Sequence, residues 1–283
     1  MILRFSTLTM ALTYLLVFIP SAAEAQCGQF CYPSFWKTPS EAEIDRTKEK
    51  VLTLLDQGFE LSETKGEIVP LFLALKFSDV EIIRFLTSTD INFFYRNFEN
   101  EGALHIAALY NQPETLAILL GQSLDVNSGD SFELTPLHLA ASSSGENVRY
   151  LLENGASAAS RDLSNRVPLH FAAGSQNKEA IVHLITSGAD INARDENGLI
   201  PLHYAMMRRN LDLEVIKILL SAGADPNTSN KDGLTPLNFA KYYNGSCKVW
   251  PDLERELINA GAELKGDYEN QSQHPRFCHS YDR

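Results

Sequence analysis

Apolar and polar positions along this chain alternate in blocks that return with a fixed period. One block reads Val69-Pro-Leu-Phe-Leu-Ala74, Gly102-Ala-Leu-His-Ile-Ala107, Thr135-Pro-Leu-His-Leu-Ala140, Val167-Pro-Leu-His-Phe-Ala172, Ile200-Pro-Leu-His-Tyr-Ala205 and Thr235-Pro-Leu-Asn-Phe-Ala240. Its second residue falls at 70, 103, 136, 168, 201 and 236, in steps of 33, 33, 32, 33 and 35. An apolar doublet follows each time: Phe85-Leu86, Leu119-Leu120, Leu151-Leu152, Leu184-Ile185, Leu219-Leu220 and Leu257-Ile258. A polar turn closes the unit, as in Asp90-Ile-Asn92, Asp125-Val-Asn127, Asp190-Ile-Asn192 and Asp225-Pro-Asn227.

The first block predicts a helix, with Thr135 or Thr235 as N-cap and Pro at the first helical position, where its missing N–H costs nothing. Small alanines let a neighbouring helix approach closely. Polar breaks at 142–145 and 174–177 end it. A second helix follows, with apolar residues at helical spacing such as Val215, Ile216, Ile218, Leu219 and Leu220. Gly155, Gly188 and Gly223 stop that helix from the position that needs a left-handed backbone. Such a unit cannot bury its apolar face alone, so neighbours must stack.

These landmarks, recurring together from about residue 38 to 265, resemble the ankyrin repeat. The resemblance implies an all-α ankyrin-repeat solenoid of helix-turn-helix units with extended hairpin turns, about six repeats plus an N-terminal cap. The repeats run over about 64–96, 97–129, 130–161, 162–194, 195–229 and 230–265, preceded by a cap at 26–63 and followed by a polar tail at 266–283. In the cap, Ser40-x-x-Glu43 forms a capping box, Val51, Leu52, Leu54 and Leu55 give the apolar face, and Gly58 ends the helix.

Residues 1–25 read as a signal peptide: Arg4, an apolar run from Phe5 to Ile19 that is short for a membrane span, then Pro20 and a small-residue site at Ala23-Glu24-Ala25. An uncleaved anchor is the alternative. Export is the expectation, to the periplasm or the medium, and exported bacterial ankyrin-repeat proteins with a similar Cys-containing segment ending in Phe-Trp offer a second resemblance. The formal charge of -12, from 24 basic and 36 acidic residues, works against nucleic acid and anionic membranes and favours a basic partner.

The four cysteines, Cys27, Cys31, Cys247 and Cys278, read as disulfides in an oxidising compartment. Helices packed about 8–10 Å apart would place the two ends of the stack roughly 50–60 Å from each other. A disulfide tolerates a Cα separation of about 7 Å. The expected pairs are therefore Cys27–Cys31 and Cys247–Cys278. A redox role is the competing reading, although Cys27-x3-Cys31 lacks the C-x-x-C spacing.

His105, His138, His170 and His203 recur at one place in the unit, which marks structure rather than a convergent catalytic site. The family resemblance implies that this His bonds to backbone in the adjoining turn. His274, Cys278 and His279 are the one metal-like cluster, and a disulfide at Cys278 would remove its thiolate. No phosphate loop, zinc-protease or nucleophile-elbow motif is present. No catalytic residue, cofactor or metal is expected.

The resemblance also implies that a partner binds on the concave face, at turn tips and late first-helix positions. By register these include Phe77, Phe94, Tyr95, Phe98, Tyr110, Phe132, Arg166, Met207, Arg208, Tyr242 and Tyr243. Aromatic, Arg and Met side chains are those enriched at interface cores; the other reading of Phe98 and Phe132 is packing into neighbouring turns. The expected function is a monomeric, non-catalytic protein-binding scaffold. An immunity-type inhibitor or companion of an exported enzyme is a narrower form, and a thiol-redox enzyme is the rival class.

Overall fold

A Pro or small residue entering the first helices and a Gly leaving most second helices recur where the chain turns. In a computed structural model of the protein, residues 75, 80–87, 94, 96, 99–110, 113–207, 211–238 and 251–263 are described. All belong to the compact unit that begins at Ile44. The expected signal peptide at 1–25, the expected cap at 26–63, both expected disulfides and the tail expected at 266–283 lie outside the described residues.

Ten helices are described: α1 (Val80–Thr87), α2 (Ala103–Leu109), α3 (Pro113–Leu120), α4 (Pro136–Ser143), α5 (Gly145–Glu153), α6 (Pro168–Ser175), α7 (Lys178–Thr186), α8 (Pro201–Ala205), α9 (Leu213–Ser221) and α10 (Pro251–Asn259). Helices α2, α4, α6 and α8 pack side by side in chain order as one layer. Helices α1, α3, α5, α7, α9 and α10 form the other layer, each against the next. Among the described residues there is no strand. This is an all-α ankyrin solenoid.

The core sits between the layers. Ala107, Ala108, Ala140, Ala141, Ala172, Ala173 and Ala205 have no exposed surface, so first helices meet almost backbone to backbone. Leu116, Leu119, Leu151, Ile181, Leu184, Ile216 and Leu219 fill the second-helix side, equally buried. Gly155, Gly188 and Gly223 take φ of +89°, +84° and +95°, the left-handed backbone expected just past each second helix.

Two local expectations are corrected. The first helices run through Ser143 and Ser175, two residues into the breaks read at 142–145 and 174–177. Serine hydroxyls hold these last turns: Ser142 and Ser175 donate to Leu139 and Ala172, and Ser143 reaches across to Ala108 in the preceding helix. Only Ser144 separates α4 from α5, and its hydroxyl caps α5 by accepting the Asn147 N–H. The second correction concerns the first-helix cap. Thr135 holds the N-cap position, yet His138, not Thr135, does the capping, as described below.

Neighbouring units are also tied through the turns after the second helices. Asn127 donates to Gly155 O and accepts from Ser157 N–H. Asn192 does the same with Gly223 O (3.0 Å) and Asp225 N–H (2.9 Å), and Asn227 with Gly261 O and Glu263 N–H. Ala159 occupies the equivalent place in the intervening unit and cannot make this tie. Asn192→Ala should therefore lower the unfolding free energy by about 1 kcal/mol, and Ala159→Asn should raise it by a similar or smaller amount. Urea titration checks both; a loss of stability in Ala159→Asn would refute the pairing.

Candidate protein-binding surface

Each first helix is wired to the next unit by its histidine. Nδ1 of His105, His138, His170 and His203 accepts the N-cap N–H of Gly102, Thr135, Val167 and Ile200 at 3.0–3.2 Å. With Nδ1 an acceptor, Nε2 carries the proton and donates to the carbonyls of Leu134, Arg166, Leu199 and Leu234 in the following hairpin, at 2.9–3.2 Å. Burial pushes all four rings from 6.5 down to about 4, against the opposing pull of those carbonyls. A neutral ring with both nitrogens occupied is a structural part. Asn238 replaces the last His, and there the Thr235 hydroxyl accepts the Asn238 N–H (3.4 Å).

The hairpins between units form a ribbon of repeated turns. In each, one side chain folds back on its own backbone. Oδ1 of Asp130, Asp162, Asp195 and Asn230 accepts two N–H groups, from Phe132 and Leu134, Ser164 and Arg166, Asn197 and Leu199, and Asp232 and Leu234. One N–H per step then joins tip to tip: Ser131 to Glu99 O, Leu163 to Phe132 O, Glu196 to Ser164 O and Lys231 to Asn197 O, at 2.8–3.0 Å.

Arginines brace most of these steps. Arg96 donates to Gly129 O, Arg161 to Arg194 O and Arg194 to Ser229 O. Asn100 and Asn165 add a second donor, to Gly129 O and Arg194 O. Hairpin 129–134 breaks the pattern. Gly129 stands where the hairpins on either side carry Arg96 and Arg161, and Glu133 stands where the others carry Asn or Gly. Glu133 nevertheless keeps φ of +59°, the left-handed backbone shared by Asn100, Asn165, Gly198 and Gly233.

Of the partner-binding candidates, Phe94 and Phe132 stand on the surface, 68% and 44% exposed. Arg166 does not. Its Nε donates to the buried Asp162 carboxylate at 2.6 Å, its guanidinium lies 4.7 Å from the Phe171 ring centroid, and its side chain is 12% exposed. The i,i+4 carboxylate turns it inward, so Arg166 is withdrawn from the candidate surface. Tyr110 and Met207 are partly buried against the core. Burial, with Glu101 nearby, pushes the Tyr110 phenol up to about 12. Phe77, Tyr95, Phe98, Arg208, Tyr242 and Tyr243 lie outside the described residues.

One surface residue escaped the sequence reading. Leu163 is 62% exposed on the hairpin beside Phe132. Aligning hairpin tips rather than helices would have found it, because Ser131, Glu196 and Lys231 hold the same place in other units. On the opposite side, a shallow groove of about 440 Å³ lies between α7 and α9, lined by Val182, Ile185, Ile218 and the Glu214–Lys217 ion pair among others. Among the described residues no group of three or more His, Cys, Asp or Glu could hold a metal ion. None of their helices is long and apolar enough to cross a membrane.

Known proteins share this architecture. The family model for ankyrin repeats, in three copies, matches residues 42–130, 71–162, 104–195 and 169–265. The chain belongs to the ankyrin-repeat family. It is 41% identical over 92 residues to the Tyrosine-protein kinase Shark of Drosophila melanogaster, covering 32% of this chain and 10% of that protein. It is 36% identical over 132 residues to Inversin of Canis lupus familiaris, covering 45% and 12%. It is 30% identical over 137 residues to the human Transient receptor potential cation channel subfamily A member 1, covering 48% and 12%. The chain thus spans about a tenth of the length of these relatives. What is shared is the repeat, a non-catalytic binding fold that implies protein partners.

Proposed function

We propose that this protein is a monomeric scaffold that holds another, basic protein outside the cytoplasm through its hairpin ribbon and first-helix face. The observation that carries this reading is the pair of exposed apolar side chains, Phe132 and Leu163, on hydrogen-bonded neighbouring hairpins. Exposed apolar groups held on a rigid frame are what a partner desolvates. Export rests on the N-terminal sequence, and the basic partner on the charge of -12.

The test is affinity capture from the exported fraction of the source cell. The wild-type protein should retain one stoichiometric protein, and the Phe132→Ala/Leu163→Ala double variant should lose most of it. Capture of nothing by the wild type, or full retention by the double variant, would sink this reading.

A further inference from the structure

Hairpin 129–134 combines three departures from its neighbours, and each gives up stability. Gly129 forgoes the arginine brace to the next hairpin, and a side chain there would be crowded, since an added Cβ would stand 3.0 Å from the Glu133 Cα. Glu133 forgoes the Asn donor and holds a left-handed backbone that disfavours a residue of its kind. Phe132, between them, leaves much of its ring in solvent. Positions that break a local rule in a regular repeat are where function is to be sought.

The same hairpin holds a carboxylate that lacks the side-chain partner its equivalents have. The outer oxygen of Asp162 is taken by Arg166, and that of Asp195 by the Tyr204 hydroxyl at 2.8 Å. At the equivalent places after Asp130 stand Leu134 and Leu139. Asp130 is 8% exposed, and its Oδ2 meets no cation or hydroxyl among the described residues. Burial holds its carboxyl above the usual range against the pull of its two backbone N–H groups, and Glu99 and Asp162 add to the rise. A cation arriving there would relieve all of these. The flanking guanidinium groups are already engaged: Arg96 with the Asn100 and Gly129 carbonyls, Arg161 with those of Asn165 and Arg194, and Arg166 with Asp162. Exposed Glu99, Glu133 and Glu196 complete an acidic rim around Phe132 and Leu163.

We propose that Phe132 and Leu163 with the surrounding carboxylates dock a cationic peptide segment of the partner protein, an apolar side chain seated on Phe132 and Leu163 and a Lys or Arg directed to Asp130 and Glu133. This rests on the scaffold reading above and names the chemistry of its partner. The unbraced step between hairpins 129–134 and 161–166 leaves the Phe132–Leu163 edge open to such a segment.

The test is selection of a random 12-residue peptide library displayed on phage, run in parallel on the full wild-type chain and on the Glu133→Gly/Phe132→Ser variant. The expected winners on the wild type carry Lys or Arg beside an aliphatic or aromatic residue, weaken about tenfold on the variant and weaken further in high salt. Glu133→Gly alone should raise the thermal midpoint by a few degrees, because glycine relieves the left-handed strain. Winners without basic residues, or winners indifferent to the variant, overturn this site and leave the scaffold reading standing. No winner at all overturns both. A lower midpoint in Glu133→Gly shows that Glu133 is structural, and overturns the argument from sacrificed stability.

Discussion

Between pH 6.5 and 4 the helical signal of this protein is expected to collapse. His105, His138, His170 and His203 are buried and neutral, titrating near 4 in the fold against 6.5 in an unfolded chain. In that window the unfolded state binds protons that the folded state refuses, so stability falls as pH falls. The stability is fully present above 6.5 and fully lost below about 4. A shift of this size is worth about 3 kcal/mol for each ring at the acid end of the window. Four rings then approach the whole stability of an ordinary domain, roughly 5–15 kcal/mol. Far-UV circular dichroism against pH is the measurement. His170→Asn should weaken the protein at pH 7 but move its acid midpoint downward, since the amide does not titrate; Asn238 occupies the same slot in the last unit. A helical signal unchanged at pH 4 would mean that the rings are not held neutral by burial.

The second large effect is expected from position rather than chemistry. Leu169 in α6 and Leu253 in α10 are both buried, at the middle and the far end of the described stack. Truncating either to alanine removes the same atoms, at a cost of about 2–5 kcal/mol where the site cannot collapse. The consequences should differ, because a unit in a solenoid is held only by its neighbours. Leu169→Ala damages a unit on which both sides depend, and it should split unfolding into separate steps for α2–α5 and α8–α10. Leu253→Ala should fray α10 and leave one main transition. Hydrogen exchange followed through urea resolves the two cases. Equal losses with a single coincident transition in both variants would refute the nearest-neighbour picture.

Most of the fold was legible because its determinants repeat. The 32–35-residue spacing, the Pro and His of most first helices and the Gly after most second helices state the same geometry several times over, so chance resemblance cancels. What was misread is local and singular. Thr135 looks like a side-chain cap, but its hydroxyl takes no first-turn N–H; instead the histidine three residues on turns back and accepts the N–H of Thr135 itself. Ser142 and Ser175 look like helix breakers, but their hydroxyls return to carbonyls one turn back and prolong the helix. Arg166 falls at a surface register, and only the Asp162 four residues earlier, already fixed by its own turn, decides that it folds inward. The surface was less legible than the core. Leu163 and Glu133 break a pattern that becomes visible only when hairpins, not helices, are aligned. The strain at Glu133 is a backbone angle that no composition reveals.

The side-chain ties between units have one further consequence, for the order in which the chain folds. Those that join one described unit to the next reach across only 28 to 40 residues, from Asn127 to Gly155 at the short end and Asn147 to Ala107 at the long end. Loop closure over such spans costs little more for the last unit than for the first. No unit must wait for a distant stretch of chain to arrive. A polypeptide delivered end-first can therefore lay each pair of helices on the pair before it, with at most about one unit's length of apolar surface waiting for cover at any moment.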